Sequence, residues 1–192
     1  NIKYCIIKNK KDFNRLNKLI TFSKKEKVPV ACLVPPGVMN VKSNNIKYRD
    51  NSSKIERSKF IYYLLKNITR NTKIISTTGF TSRELCHIRN ENKMKNGKDF
   101  YMVGGMGHAS MVSLAHSLYN KNKTICLDGD GSLLMHMGSL LTVGKFASKN
   151  FKHILLNNNS HESVGGQKTY IEKLNLKNIV KNFRYKNYFM IS

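Results

Sequence analysis

The feature that most constrains this chain is an alternation of short apolar runs and amphipathic segments along residues 54–192. The apolar runs at 73–77, 124–127 and 153–157 are typical of strands that are buried on both faces, and helical spacing follows each of them. Strands and helices that take turns in this way predict a parallel sheet covered by helices on both faces. The expected fold class is therefore α/β.

The alternation also predicts where the elements lie. We expect helices at about 54–69, 82–89, 110–119, 133–147 and 177–183, and strands at 73–77, 99–103, 124–127, 153–157 and 188–191. In such sheets, ligands bind beyond the carboxyl ends of the strands.

The preceding part of the chain has a different character. Residues 11–27 have the pattern of a basic amphipathic helix, and residues 28–34 read as a buried strand that Pro35 and Pro36 end. The polar stretch 38–53 has no periodicity and is typical of a linker. We therefore expect three parts: the end of another α/β domain at 1–37, a linker at 38–53, and a second domain at 54–192, truncated at its C-terminus.

Charge and cysteine usage narrow the function classes. The chain has 34 Lys and Arg against 11 Asp and Glu, a net charge of +23, but the lysines are dispersed and no aromatic stripe accompanies them. This favours a small anionic substrate over nucleic acid. The four cysteines lie in apolar segments without zinc-ligand spacing, which predicts core thiols. Neither a membrane span nor a signal peptide is evident, so we expect a cytoplasmic protein without a membrane partner.

Four polar, glycine-rich stretches follow predicted strands. These stretches are TTG at 77–79, GGMGHAS at 104–110, LDGDGS at 127–132 and LLNNNSHESVGGQ at 155–167. Because the carboxyl ends of parallel strands meet at one edge of the sheet, we expect the four stretches to converge.

Asp130 is the candidate metal-binding carboxylate at this edge of the sheet. It lies between two glycines, and Ser132 follows at the start of a predicted helix, whose amide groups favour a phosphate. Asn158 lies one helix and one strand further on and offers an amide oxygen, although Asn157 and Asn159 leave the register open by one position. Carboxylate, amide and phosphate oxygens together predict Mg²⁺. The alternative is an acid that only caps a helix.

The GDGS sequence followed by NN resembles the cofactor motif of thiamine-diphosphate-dependent enzymes. The resemblance covers about 54–192 and is greatest to the phosphonopyruvate and sulfopyruvate decarboxylase branch of the family. It is carried by STTGFTSRELC (76–86), GGMGHASMVSLAHSL (104–118), LDGDGSLLMHMGSLLTVG (127–144) and LLNNNSHESVGGQKT (155–169).

The resemblance implies a role for each matching position. The implied Mg²⁺ ligands are Asp130, Asn158 and the carbonyl of Ser160. The implied thiamine diphosphate contacts are Thr78, Gly79, Gly104, Met106, Gly129, Gly131 and Ser132. Met106 would bend the cofactor, and the Gly104 carbonyl would meet its aminopyrimidine. His161 and His108 flank the same loops and are candidate catalytic groups, as proton donors or anion contacts.

The implied reaction is decarboxylation of an anionic 2-oxo acid, with 3-phosphonopyruvate giving phosphonoacetaldehyde and carbon dioxide. Sulfopyruvate decarboxylation, another decarboxylation or carboligation of this family, and a basic binding module without turnover are the alternatives. In the family, a glutamate of the pyrimidine-binding domain activates the cofactor, and no glutamate here has a matching position. We expect that glutamate to lie upstream of Asn1, so that the fragment alone is inactive. We also expect a homo-oligomer with its active site between domains.

Overall fold

A computed structural model describes residues 2–38, 55–94 and 99–191. The chain divides into two compact units, Asn1–Lys47 and Tyr48–Ser192. Most of the predicted linker lies outside the described residues, so the domain boundaries given above stay predictions.

The first unit is a small parallel βαβ arrangement. It consists of β1 (Lys3–Ile6), α1 (Phe13–Glu26) and β2 (Val30–Leu33), with Cys5 paired to Cys32 in register. The sequence pattern did not predict β1. The strand expected at 28–34 is present as β2, but the prediction that it is buried is wrong within this unit, since the two residues at its end are exposed.

The second unit contains the remaining elements. Its helices are α2 (Arg57–Asn67), α3 (Phe80–Glu91), α4 (Ala109–Tyr119), α5 (Asp130–Met135), α6 (Ser139–Phe146) and α7 (Leu176–Asn182). Its strands are β3 (Lys73–Ser76), β4 (Phe100–Tyr101), β5 (Thr124–Gly129), β6 (Phe151–Leu156), β7 (Ser160–His161) and β8 (Gln167–Lys168). Four strands form a parallel sheet in the order β4-β3-β5-β6, flanked by helices, which confirms the α/β prediction.

The core explains why β3 and β5 lie in the middle of this sheet. Ile74 and Leu127, on the two strands, pack with Ile61 of α2 and Leu85 of α3 in one buried cluster. A second cluster contains Leu133, Leu140 and Ile171. Burial on both faces stabilises such apolar strands by removing their side chains from water.

Two predicted elements differ in the structure. The helix expected at 133–147 is instead two helices, because the backbone of His136 leaves the helical region (φ −135°, ψ 44°). The strand expected at 188–191 is absent, and Phe189, Met190 and Ile191 are 84%, 79% and 74% exposed. An apolar run forms a strand only where another strand pairs with it. None of the described helices is both long and apolar enough to cross a bilayer.

Candidate functional site

The four glycine-rich stretches converge at the carboxyl edge of the sheet, as expected. The Thr77 hydroxyl donates to Ser132 Oγ over 2.7 Å, and the Gly107 amide donates to the same oxygen over 3.0 Å. Ser132 is 3% exposed. Its hydroxyl oxygen therefore joins the loops after β3 and β4 to the first turn of α5, a structural role not predicted from the sequence.

The loop after β3 is held on two sides. Thr78 donates its hydroxyl hydrogen to the Val103 carbonyl over 3.0 Å, which connects it to the loop after β4. Gly79 has φ +93°, where an L side chain is strained, and a Cβ there would lie 3.0 Å from Ser163 Oγ. Glycine is therefore required both by the backbone and by the close approach of the fourth loop.

Asp130 is a buried carboxylate at the first position of α5, with 4% exposure. The Thr169 hydroxyl donates to its Oδ2 over 2.7 Å. Across the described part of the chain, its carboxylate has no ion pair. Burying a carboxylate without a cation is costly, so the site fits an added positive ion.

The turn between β5 and α5 fits an anion beside that cation. Gly129 precedes α5 and makes no side-chain cap, so the first amide groups of the helix have no side-chain acceptor from this position. These amides belong to the segment that includes Gly131 and Ser132, and both residues are buried. Amides at such a position can bind phosphate groups.

His161 and Met106 meet at Gly131. A methyl group on Gly131 would overlap the His161 ring and would lie 3.3 Å from Met106 Cε. The structure therefore brings together a candidate catalytic histidine, the methionine expected to shape the cofactor, and the glycine expected to hold the diphosphate.

His108 lies at the start of α4, where its Nδ1 approaches the Gly105 carbonyl oxygen at 3.2 Å. The His136 ring packs against it in a tilted arrangement, with the two ring centroids 4.3 Å apart. Gly107, with φ +88°, permits this arrangement, since a Cβ there would overlap the His136 ring. The sequence pattern predicts an ordinary helix residue at His136, and the break between α5 and α6 is what turns it toward this loop. Gly104 is exposed, and the space beside it is open.

The asparagine loop, residues 157–159 after β6, is ordered by hydrogen bonds of its own side-chain amides. Asn158 accepts a hydrogen bond from the Ser160 amide at Oδ1 over 3.1 Å, and its Nδ2 donates to Glu162 over 3.2 Å. Asn158 is half-buried, whereas Asn157 and Asn159 are exposed. Its assignment as a Mg²⁺ ligand stays a prediction, and an amide oxygen with two lone pairs can accept the Ser160 amide and also bind a cation.

Arg57 of α2 connects this loop to α3. Its guanidinium binds Glu84 through two hydrogen bonds of 2.9 and 2.6 Å, and Glu162 through a third of 2.8 Å. The hydrogen bonds to Glu84 raise the pKa of Arg57 above its usual value. The hydrogen bond to Glu162 adds to this effect, and burial lowers the pKa by less than these bonds raise it. The three residues are 27 and 105 positions apart, so no local pattern could have revealed the network.

A second buried carboxylate, Asp128, lies directly behind the turn. Its Oδ1 accepts the Gly129 amide over 2.9 Å, and its Oδ2 lies 3.2 Å from His153 Nε2. The Tyr185 hydroxyl lies 3.1 Å from the other ring nitrogen. Burial lowers the pKa of His153, but its contacts with Cys126, Asp128 and Tyr185 outweigh burial, and the net pKa lies well above the usual value.

The cysteine predictions are partly confirmed. Cys126 is fully buried, and its sulfur lies within 4.8 Å of ligand atoms of Asp128 and His153. The register between β5 and β6 creates this grouping, which sequence spacing did not indicate. Cys32 is exposed, so its assignment as a core thiol is wrong for the unit as described.

Comparisons with known proteins identify the family to which this fold belongs. Residues 77–189 match the family described as "Thiamine pyrophosphate enzyme, C-terminal TPP binding domain". Phosphonopyruvate decarboxylase of Streptomyces viridochromogenes is 42% identical over 113 residues, which are 59% of this chain and 27% of that protein. Sulfopyruvate decarboxylase subunit beta of Methanocaldococcus jannaschii is 36% identical over 127 residues, which are 66% of this chain and 65% of that protein.

The chain thus spans about a quarter of the first relative and just under two thirds of the second. The family match begins at Thr77, in the loop after β3, and includes all the loops that meet at the carboxyl edge of the sheet. By this match, the chain belongs to the thiamine pyrophosphate enzyme family, in its C-terminal TPP-binding domain.

Proposed function

We propose that this protein takes part in the thiamine-diphosphate-dependent decarboxylation of an anionic 2-oxo acid. The observation that carries the proposal is the buried Asp130 carboxylate, which has no ion-pair partner in the described residues and stands at the start of α5. A divalent cation that also binds a diphosphate would neutralise this carboxylate. Membership of the TPP-binding family supplies the matching cofactor.

The chain's own residues would act as follows. Asp130, Asn158 and the Ser160 carbonyl would hold Mg²⁺. The diphosphate would rest on the α5 amides and on the loop of Thr78 and Gly79. When bound, thiamine diphosphate supplies the carbon nucleophile and the electron sink for loss of carbon dioxide.

Several other residues would shape the reaction space. Met106 and Gly104 would orient the cofactor, and Gly129 would contact it at the junction of β5 and α5. His161 and His108 are the proposed proton donors or anion contacts. His161 is the better placed of the two, because its ring lies directly against Gly131.

The proposed substrate is 3-phosphonopyruvate, and sulfopyruvate is the second candidate. Both compounds carry a second anionic group beyond the carboxylate, which suits a chain of net charge +23. Proteins named for each substrate are among the relatives, at 42% and 36% identity.

The proposed assembly is a dimer or larger homo-oligomer. The glutamate that activates the cofactor would come from a pyrimidine-binding domain outside this sequence. Glu84 and Glu162 of this chain are bound to Arg57, so they are poor candidates for that role.

The test measures carbon dioxide release by the full-length protein with Mg²⁺ and thiamine diphosphate. Phosphonopyruvate, sulfopyruvate and pyruvate are compared side by side. We expect a preference for phosphonopyruvate and a loss of at least about 100-fold in Asp130→Ala, because the variant lacks the carboxylate that holds the cation.

Other outcomes discriminate the alternatives. Carbon dioxide release from sulfopyruvate or pyruvate alone would support the proposed cofactor and would reject phosphonopyruvate as the substrate. Full activity of Asp130→Ala rejects the site. No release from any substrate with the cofactor bound favours a binding module or a different thiamine reaction.

A further inference from the structure

We infer that Thr169 is a positioning residue that holds the two sides of the proposed Mg²⁺ site in register. The inference rests on the proposed function, since it assigns the site's ligands as above. Thr169 belongs to none of the helices or strands, and no catalytic or ligand role was expected of it from the sequence.

Thr169 bonds to two separate segments of the chain. Its hydroxyl donates to Asp130 Oδ2 over 2.7 Å, and its amide donates to the Asn159 carbonyl over 3.2 Å. The residue is 8% exposed, so water competes little for either bond. One side chain and its own backbone therefore join the start of α5 to the asparagine loop.

The β7–β8 hairpin sets the direction of the amide bond. Ser160 is paired with Lys168, and His161 with Gln167, in antiparallel register. The Thr169 amide extends this ladder to Asn159. Because peptide groups in an antiparallel pair alternate between facing the partner and facing away, the Ser160 carbonyl faces away from β8. The proposed ligand oxygen is thus left free by the hairpin that Thr169 closes.

The hydrogen bond from the Thr169 hydroxyl restricts the orientation of the Asp130 carboxylate. A carboxylate that ligates a metal is commonly fixed by an outer hydrogen-bond donor, and loss of such a donor lowers metal affinity about 10- to 100-fold. Thr169 is the hydrogen-bond donor that the structure records to the Asp130 side chain. Its hydroxyl restrains Oδ2, and Oδ1 would then be the oxygen available to the cation.

The test titrates Mg²⁺ into the full-length protein with saturating thiamine diphosphate and measures binding by calorimetry. Thr169→Val keeps the side-chain shape and removes the donor, so we expect Mg²⁺ binding to weaken about 10- to 100-fold. Thr169→Ser keeps the donor, and we expect affinity within about threefold of the parent, since only a methyl group is lost.

Thr72→Val is a matched control. Thr72 is 4% exposed, and its hydroxyl bonds to that of Thr69 over 3.0 Å, at the start of β3. This variant loses a comparable buried hydroxyl away from the carboxyl edge, and its Mg²⁺ affinity should match that of the parent protein. Thermal unfolding without Mg²⁺ or cofactor is measured for each variant, so that a general loss of stability is separated from a loss of metal affinity.

The outcomes distinguish this inference from the proposed function. If Asp130→Ala loses Mg²⁺ binding and Thr169→Val does not, the positioning role is wrong and the proposed site stands. If Asp130→Ala binds Mg²⁺ as the parent does, the proposed site fails and the inference fails with it. If Thr169→Val does not fold, Thr169→Ser is compared with Thr169→Ala, and equal affinities in that pair overturn the inference.

Discussion

At the scale of single residues, two buried carboxylates two positions apart have contrasting partners. Asp128 faces His153, whose raised pKa favours the protonated, cationic ring. This ring neutralises the Asp128 carboxylate inside the protein. Asp130 receives a neutral hydroxyl from Thr169. The same strand end thus carries one carboxylate with an internal counterion and one that suits a counterion from outside, which is the physical basis for the proposed metal site at Asp130.

The His153 pair predicts a pH dependence of stability. Because the folded-state pKa of His153 is raised, its stabilisation is complete below its unfolded value of about 6.5 and is lost as pH rises through the folded value. His153→Gln cannot titrate. We expect the difference in unfolding free energy between the parent and this variant to be largest near pH 6 and to shrink at higher pH.

Denaturant unfolding of both proteins at a series of pH values between about 6 and 9 checks this. Subtracting one curve from the other removes the groups that the two proteins share. His87→Gln is the control, since His87 is exposed and pairs with Glu91 at the protein surface. A difference that is constant or grows with pH would show that the pKa of His153 is not raised in the folded protein.

Single residues also show how far the sequence could lead. Asp130 and Ser132 were identifiable because glycines and a strand end surround them in the chain. Thr169 and Arg57 were not, since their partners depend on a hairpin and on a helix pair that bring distant segments together. His136 was missed because its position depends on where a helix breaks.

At the scale of elements, the loop between β6 and β8 is fastened at several points. Glu162 binds Arg57 of α2, Ser163 approaches Gly79, and Thr169 binds Asp130. The hairpin was not predicted, because β7 and β8 are two residues each and carry no alternating pattern. Likewise, apolar spacing continues through 133–147, so the pattern predicted one helix where the backbone makes two.

The Arg57–Glu162 pair predicts a measurable effect on this loop. Glu162→Gln removes the charge that Arg57 holds, and the Glu162 side chain is 40% exposed. A pair with such exposure contributes up to about 1 kcal/mol. We therefore expect amide hydrogen exchange of residues 160–168 to accelerate by up to about fivefold, with little change in β3 or β5.

Glu56→Gln is the matched control for that measurement. Glu56 pairs with Lys59 at 3.3 Å, three residues away at the start of α2, and both side chains are largely exposed. This variant should leave exchange in 160–168 unchanged. Equal acceleration in the two variants, or none in Glu162→Gln, would mean that Arg57 does not restrain the loop.

At the scale of the whole molecule, the alternation of strands and helices was enough to predict the fold class and the edge of the sheet where the four glycine-rich stretches meet. It depends only on burial of strands on both faces, which leaves a clear mark in the sequence. The edges of the fold were harder to predict. β1 pairs with a strand 27 positions away, and the apolar run at 188–191 has no strand beside it in the described residues.

The two functional classes, enzyme and basic binding module, predict different whole-molecule responses to ligands. A cofactor at about 100 times its dissociation constant stabilises the folded state by about 2.7 kcal/mol. This stabilisation raises the Tm, and the rise per kcal/mol is smaller for a larger protein. We expect such a rise for the full-length protein with Mg²⁺ and thiamine diphosphate together, and a smaller one with either alone, because in the proposed site the cation would join the diphosphate to Asp130.

Asp130→Ala supplies the control, since it should unfold normally without ligands and should lose the rise. DNA retention at increasing salt is measured in parallel, because binding through dispersed lysines falls steeply with salt. No rise in Tm, combined with salt-sensitive retention of DNA, would favour the binding module. A rise that persists in Asp130→Ala would place the cofactor elsewhere on the molecule, away from the edge where the four loops meet.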